Sequence, residues 1–159
     1  MRNPGRLDLE NGCYHTISVT KGREPVFANP ANAALLALLI DCIRSMSQLG
    51  QAHVLAYAAM PDHLHLLLSP RNGENLSNVM RSLKRFSVKR INESTSRSGS
   101  LWQQSFYDRA MRDEQHLYRT IEYIHRNAVV AGLAQTESEY LFSSAHPTGW
   151  SDLGVFLQG

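Results

Sequence analysis

The sequence predicts an α+β fold, a ferredoxin-like split βαβ sandwich in which helices pack on an antiparallel sheet. Short stretches in which apolar and polar residues alternate indicate strands, and longer stretches with apolar residues three and four apart indicate helices. These elements follow one another as strand, helix, strand, strand, helix, strand, helix. That order matches a split βαβ layout.

The first strand and the first helix lie in the opening third of the chain. Residues from Gly12 to Thr20 alternate in polarity, which is the period of a half-buried strand. The segment from Ala31 to Leu49 is rich in good helix formers, and Gly50 suits its end. Asn29 or Asn32 is a suitable cap for its first turn.

Two further strands are predicted on either side of Pro61-Asp62, from Ala52 to Met60 and from His63 to Ser69. Side chains alternate between the two faces of a strand. Leu64, Leu66 and Leu68 therefore share one face, which is predicted to be core. His63 and His65 share the other face, which must lie against something polar.

The second half predicts a helix from Leu76 to about Ile91, a short strand within Phe106 to Arg112, and a last helix from Gln115 to about Asn127. The tail, residues 143–159, has no readable pattern. The apolar arc of the first of these helices comprises Leu76, Val79, Met80, Leu83 and Phe86. Its opposite arc is basic and comprises Arg81, Lys84, Arg85 and Lys89.

The composition indicates one globular domain covering residues 1–159. The net charge is +2 and 43% of the residues are hydrophobic. No apolar run approaches the ~20 residues of a membrane span, and no signal peptide is apparent, so a cytoplasmic protein without membrane contact is expected. Cys13 and Cys42 are far apart, and two buried, reduced thiols are expected instead of a disulfide or a zinc site.

Basic side chains are concentrated between Arg71 and Arg126, a segment that holds 11 of the 16 Lys and Arg residues. This segment can provide a surface for phosphate contacts despite the low net charge. The alternative is a solvated helix surface, which is the usual situation of charges at helical spacing.

His63 and His65 form a candidate metal site. Two imidazoles on one strand face bind a divalent ion when a third ligand arrives from elsewhere. Asn127 is a candidate for that ligand, and Tyr123, four residues earlier, lies on the same helix face. The alternative is that both histidines are polar residues on an exposed sheet face.

Tyr123 is a candidate nucleophile because it lies off the apolar stripe of its helix. The stripe comprises Leu117, Ile121, Ile124 and Ala128. The polar arc comprises His116, Arg119, Thr120, Tyr123 and Asn127. The tyrosine hydroxyl is therefore expected to be free to meet a substrate, whereas His15 and His125 are expected to be structural histidines.

Four segments resemble the REP-associated tyrosine transposases, a branch of the HUH single-strand DNA transposases in the IS200-like family. They are Tyr14-His15-Thr16-Ile17, the run from Tyr57 to Leu68, the run from Leu101 to Asp108, and the run from Tyr123 to Leu133. Their order and spacing match over most of the chain. One difference is Ala128, where these proteins often carry proline, and it concerns the end of the helix and not the chemistry.

The resemblance implies a metal-dependent endonuclease and strand transferase that cleaves and rejoins single-stranded DNA near palindromic hairpins. Tyr123 would form a 5′-phosphotyrosine. Mg²⁺ or Mn²⁺ would be bound by His63, His65 and Asn127. The DNA phosphates would contact Arg81, Lys84, Arg85, Lys89, Arg112 and Arg119. The protein would act as a monomer or a homodimer.

Two other functions remain open at this point. A domesticated protein of the same fold would bind hairpin DNA without cleaving it, although Tyr123, His63 and His65 are intact. An unrelated metal-dependent hydrolase would use the same histidines. It would need further carboxylate ligands, and Asp62 is the only adjacent acid.

Overall fold

The computed structural model describes residues 12–28 and 33–158. Its four strands are β1 (Tyr14–Val19), β2 (Ala52–Ala59), β3 (His63–Pro70) and β4 (Tyr107–Ala110). They form one sheet in the order β2-β3-β1-β4, and each neighbouring pair is antiparallel. This arrangement confirms the predicted α+β fold and makes β3 and β1 the central strands.

Four α-helices accompany the sheet: α1 (Ala33–Gln48), α2 (Leu76–Ser94), α3 (Glu114–Val130) and α4 (Leu153–Gln158). Asn75 caps α2 by accepting a hydrogen bond from the Asn78 N–H, and Asp113 caps α3 through the His116 N–H. The cap predicted for α1 at Asn29 or Asn32 lies outside the described residues. Helix α3 continues three residues beyond Asn127, as alanine instead of proline at position 128 permits.

The sheet separates two hydrophobic cores. On one face Leu64, Leu66 and Leu68 pack with α1 and α2, as the alternation in β3 predicts. On the other face Leu67 packs beneath α3, which contributes Leu117 and Ile124. The histidine face of β3 is therefore the face that α3 covers.

The apolar arc predicted for α2 is wrong at Phe86, which is 39% exposed. The buried residues instead continue from Leu83 to Ser87 and Ile91, four apart. A stripe that advances by four residues leaves Phe86 at its edge, where the Arg90 guanidinium lies over its ring.

The tail folds along the outer edge of β2. Residues 142–144 hydrogen-bond to the backbone of Tyr57 and Ala59, and the Asp152 N–H donates to the Val54 carbonyl. A register shift between Val54 and Ala56 places an extra residue, Leu55, in β2. The Asp152 carboxylate accepts the Val54 N–H at this bulge, so the tail supplies partners that an edge strand otherwise lacks.

Both cysteines are buried and unpaired, which confirms the expectation of free thiols. Burial raises the pKa of Cys13 to about 12 and that of Cys42 to about 11, so neither thiol is a reactive thiolate at neutral pH. Within the described residues, no helix has the length and apolar character needed to cross a bilayer.

Candidate active site

His63 and His65 lie on the same face of β3, with ring centroids 4.9 Å apart. His65 is 3% exposed and pairs across the sheet with Ile17 of β1, and His63 pairs with Val19. The alternation read from the sequence is therefore present in the structure, and both imidazoles reach the space under α3.

His15 of β1 joins this pair. Its Nε2 lies 3.0 Å from Nδ1 of His65, and the two rings stack with centroids 5.2 Å apart. From its sequence, His15 was expected to be a structural histidine. The sequence does place His15 and Ile17 on one face of β1. The contact between His15 and His65, however, depends on the register between β1 and β3, which lie fifty residues apart in the chain.

Asp62 orients the other imidazole. Its Oδ1 lies 2.6 Å from Nδ1 of His63. An ionised carboxylate only accepts hydrogen bonds, so Nδ1 of His63 is the donor and its Nε2 is left to accept in the neutral ring. Each of the two β3 histidines thus has Nδ1 engaged by a neighbour, which leaves Nε2 as the nitrogen for any further ligand.

His65 and His15 are neutral at pH 7. Burial, with smaller contributions from His63 and His15, lowers the pKa of His65 to about 3, and a hydrogen bond with Asn127 opposes this shift. Burial and then the charge of Arg109 lower the pKa of His15 to about 4. A neutral imidazole keeps one nitrogen lone pair, which is the form that binds metals.

Helix α3 places Tyr123 and Asn127 over these histidines. The Tyr123 ring meets His65 and His15 edge-on, at centroid distances of 5.8 and 6.0 Å. Its side chain is nevertheless 57% exposed. The Asn127 amide donates to the Tyr123 carbonyl and also hydrogen-bonds to His65. The four predicted residues, His63, His65, Tyr123 and Asn127, therefore meet at one place.

The polar arc predicted for α3 is only partly exposed. His116 and Thr120 are buried, and Nδ1 of His116 accepts the Arg112 N–H. His116 and Thr120 therefore face protein, whereas Arg119 and Tyr123 of the same arc are exposed. His125 is structural, as expected, because its Nε2 lies 2.7 Å from Oγ of Ser144 in the tail.

The basic residues of α2 lie apart from this site. Arg81, Lys84, Arg85 and Lys89 line a groove of about 920 Å³ between α2 and residues 99–104. Helix α2 packs on the leucine face of the sheet, opposite the histidines. Lys84 also has a structural role, since its Nζ donates to the carbonyls of Gln103 and Ser105, and burial lowers its pKa.

Arg112 and Arg119 lie on the site's own face of the sheet. Arg119 lines a cavity that also contains Tyr123. The charge of Arg112 reaches the same region, where, after burial, it contributes most to lowering the pKa of His116. The structure thus divides the six predicted DNA-contacting residues between two surfaces.

Known proteins similar to this chain show its family. The sequence model of the family "Transposase IS200 like" matches residues 8–127. A Haemophilus influenzae protein named "Putative REP-associated tyrosine transposase" is 28% identical over 101 residues, which cover 57% of this chain and 57% of the relative. The alignment thus spans just over half the length of that relative.

Two solved structures share the fold. A REP-associated tyrosine transposase bound to a REP hairpin superposes with a TM-score of 0.67 at 19% identity, over 95% of this chain and 92% of the other. A "putative transposase" from Deinococcus radiodurans gives a TM-score of 0.51 at 23% identity, over 79% of this chain and 96% of the other. The match of the family model over most of the chain, together with this shared fold, shows that the chain belongs to the IS200-like transposase family.

Proposed function

We propose that this protein is a metal-dependent single-strand DNA endonuclease and strand transferase that acts beside palindromic hairpins of the REP type. The observation that carries the proposal is the position of Tyr123, which is exposed to solvent while its ring lies against buried His65 and half-buried His15. An exposed tyrosine beside neutral imidazoles suits attack on a phosphodiester better than it suits packing.

In the proposed reaction the Tyr123 hydroxyl oxygen attacks the scissile phosphorus. The bond between phosphorus and the 3′ oxygen breaks, and the tyrosine proton is balanced by the proton gained at the released 3′-hydroxyl. The product is a 5′-phosphotyrosine, in which the phosphodiester energy is conserved. Rejoining is the same step in reverse, so no nucleotide energy source is required.

The residues around Tyr123 could hold a divalent ion, with phosphate oxygens and water completing its coordination. His63 and His65 would bind it through Nε2, because Asp62 and His15 occupy the two Nδ1 atoms, and the Asn127 amide oxygen would be the third protein ligand. Within residues 12–28 and 33–158 no three His, Cys, Asp or Glu side chains cluster as a metal site, so the set depends on this amide. Bound Mg²⁺ or Mn²⁺ would neutralise charge on the scissile phosphate.

The proposed DNA substrate is a single strand that carries a hairpin. The solved relative with a TM-score of 0.67 is bound to a REP hairpin, and this chain shares its fold. Arg112 and Arg119 would contact phosphates near the tyrosine. The α2 groove, with Arg81, Lys84, Arg85 and Lys89, would contact more distant parts of the DNA. Binding should weaken with salt, with a slope of about 0.7 per neutralised phosphate.

The non-cleaving alternative is less favoured, since a protein that only binds DNA has no need of an exposed tyrosine set against neutral imidazoles. The hydrolase alternative lacks a carboxylate ligand, because Asp62 hydrogen-bonds to Nδ1 of His63. Both alternatives predict that no DNA–protein adduct forms.

The decisive test is covalent capture. Wild-type protein is incubated with Mn²⁺ and a single-stranded palindrome from beside its own gene, and adducts are resolved by denaturing electrophoresis. Tyr123→Phe should abolish the adduct while DNA affinity changes less than twofold. Tyr118→Phe is the matched control, because Tyr118 lies on the same helix and is 42% exposed but contacts none of the site histidines.

Four results would contradict the proposal: no adduct with the wild type, an adduct with Tyr123→Phe, an unchanged adduct after His63→Ala or chelation of the metal, or equal cleavage of perfect duplex. The first result would leave the non-cleaving binder as the favoured function. The second would move the nucleophile to another tyrosine.

A further inference from the structure

The cavity that Arg119 and Tyr123 share is a recess whose lining does not include His63. It has a volume of about 370 Å³ and lies between β4 and the first turns of α3, with His15 and Ile17 of β1 among its lining residues. Tyr107 and Arg109 of β4 line one side, and Arg119 and Tyr123 of α3 line the other. Its size is in the range of small-ligand sites.

The register of β4 explains why these side chains converge. Tyr107 pairs with Ile17 and Arg109 pairs with His15, so both β4 side chains lie on the face that holds the histidines. Strand β4 has four residues, all exposed, at the edge of the sheet. Its side chains are therefore not needed to fill a core.

Two arginines and one acidic residue, Asp108, line the recess, so cationic side chains outnumber anionic ones there. Among the described residues, neither the Arg109 nor the Arg119 guanidinium has an ion-pair or hydrogen-bond partner. Their charges nevertheless reach the recess wall, because after burial and Arg112 they lower the pKa of buried His116. Two unpaired guanidiniums that line the same recess as the proposed nucleophile are suited to phosphate oxygens.

The recess also has an aromatic surface. Tyr107 is 65% exposed although it lies beside a cavity. Exposed aromatic rings next to unpaired arginines are the combination by which proteins bind single-stranded nucleic acid, with bases on the rings and phosphates on the cations.

We propose that this recess binds the first nucleotide on the 3′ side of the scissile phosphate, with its base stacked on Tyr107 and its own 3′ phosphate between Arg109 and Arg119. The inference rests on the proposed function. In an in-line displacement the leaving 3′ oxygen departs on the side of phosphorus opposite the tyrosine oxygen. The nucleotide on the 3′ side stays attached to Tyr123 through the phosphate, and Tyr123 forms part of the wall of the recess.

The test uses the cleavage position mapped with wild-type protein. Affinities are then measured by fluorescence anisotropy in the Tyr123→Phe background, with the same single strand either intact or abasic at the first 3′ position. Losing one stacked base should weaken binding about 5- to 150-fold when Tyr107 is present. In Tyr107→Ala the intact and abasic strands should bind equally, and Tyr107→Phe should restore the difference.

The proposed phosphate contacts of Arg109 and Arg119 are tested by removing the charges of both side chains. Arg109→Gln with Arg119→Gln should lower the salt slope by about 0.7 for the phosphate that both contact. A strand with a neutral methylphosphonate at that phosphate should show no further decrease. The matched control is Arg81→Gln with Arg85→Gln, which removes the same charge from α2, and there the methylphosphonate should still lower the slope.

The outcomes separate this inference from the proposed function. If wild-type protein forms no adduct, the proposed function fails first. If the adduct forms but Tyr107→Ala keeps the full abasic penalty, or if the penalty appears only at the 5′ neighbour, the assignment of the recess is wrong while the cleavage mechanism stands.

Discussion

Replacing His15 with phenylalanine tests whether this residue positions a metal ligand. Phenylalanine keeps a flat ring that can stack on His65 but removes the nitrogen 3.0 Å from its Nδ1. His65 is 3% exposed, so water does not readily replace the lost partner. The ring of His65 would then lose the contact that turns its Nε2 toward the proposed metal.

The expected loss of metal affinity follows from the loss of one buried hydrogen bond, the one between His15 and His65. Leaving a buried polar group without a partner costs about 1–3 kcal/mol. About 1.4 kcal/mol corresponds to a factor of ten in affinity. If the whole cost lowers the free energy of metal binding, the metal affinity therefore falls about 5- to 150-fold. Loss of an outer hydrogen bond to a ligating histidine typically weakens metal binding about 10- to 100-fold, which is the same range.

The assay is calorimetric titration of Mn²⁺ into wild type, His15→Phe and His15→Gln at pH 7.5. His15→Gln keeps an acceptor for Nδ1 of His65 and should recover part of the affinity. Urea unfolding of the metal-free proteins separates loss of the ligand's orientation from loss of the fold. If wild type binds Mn²⁺ and His15→Phe binds it within twofold, then His15 does not position His65. If wild type binds no Mn²⁺, the metal site itself is wrong.

Three further predictions concern stability and are checked by urea unfolding. Leu66→Ala, at a side chain with no exposed area in the core of β3, should cost about 2–5 kcal/mol. Asp152→Ala should lower the free energy of unfolding by about 1–3 kcal/mol, because the Asp152 carboxylate accepts hydrogen bonds from Ser47 and from the Val54 N–H at the bulge. An unchanged free energy of unfolding would mean that the tail does not stabilise the edge of β2. Lys84→Met should lower the free energy of unfolding by about 1 kcal/mol, because it removes the two hydrogen bonds from Lys84 to backbone carbonyls. If the stability does not change, DNA contact is the only role left for Lys84.

The sequence predicted the sheet well because the period of two in β3 is unambiguous. Leucines and histidines alternate there without exception from His63 to Leu66, and a shift by one residue would bury both imidazoles with the leucine core. Tyr123 was also accessible to prediction, because a helical stripe from Leu117 to Ala128 leaves it on another arc. Local periodicity therefore identified the strand and the helix that form the candidate site.

Contacts between distant segments were not accessible in the same way. The pairing of β1 with β3 brings His15 to His65, and the fold of the tail depends on single hydrogen bonds to β2 at Tyr57, Ala59 and Val54. Neither the pairing of β1 with β3 nor the hydrogen bonds of the tail produce a periodic pattern in the sequence. The basic arc of α2 also did not reveal that this helix packs on the opposite face of the sheet from Tyr123. The spacing of the basic residues is the same whichever face the helix packs on.

The arrangement explains how an exposed side chain keeps a fixed position. More than half of the Tyr123 side chain is open to solvent, so its own packing holds it weakly. The next residue, Ile124, is fully buried in the core beneath α3, and the Asn127 amide ties the Tyr123 carbonyl to His65. Helix α3 is thus fixed to β3 through an apolar contact and a polar one, both within four residues after the tyrosine. Because His65 is itself held by His15, the Tyr123 hydroxyl and the His15–His65 pair are both positioned relative to the two central strands, β1 and β3.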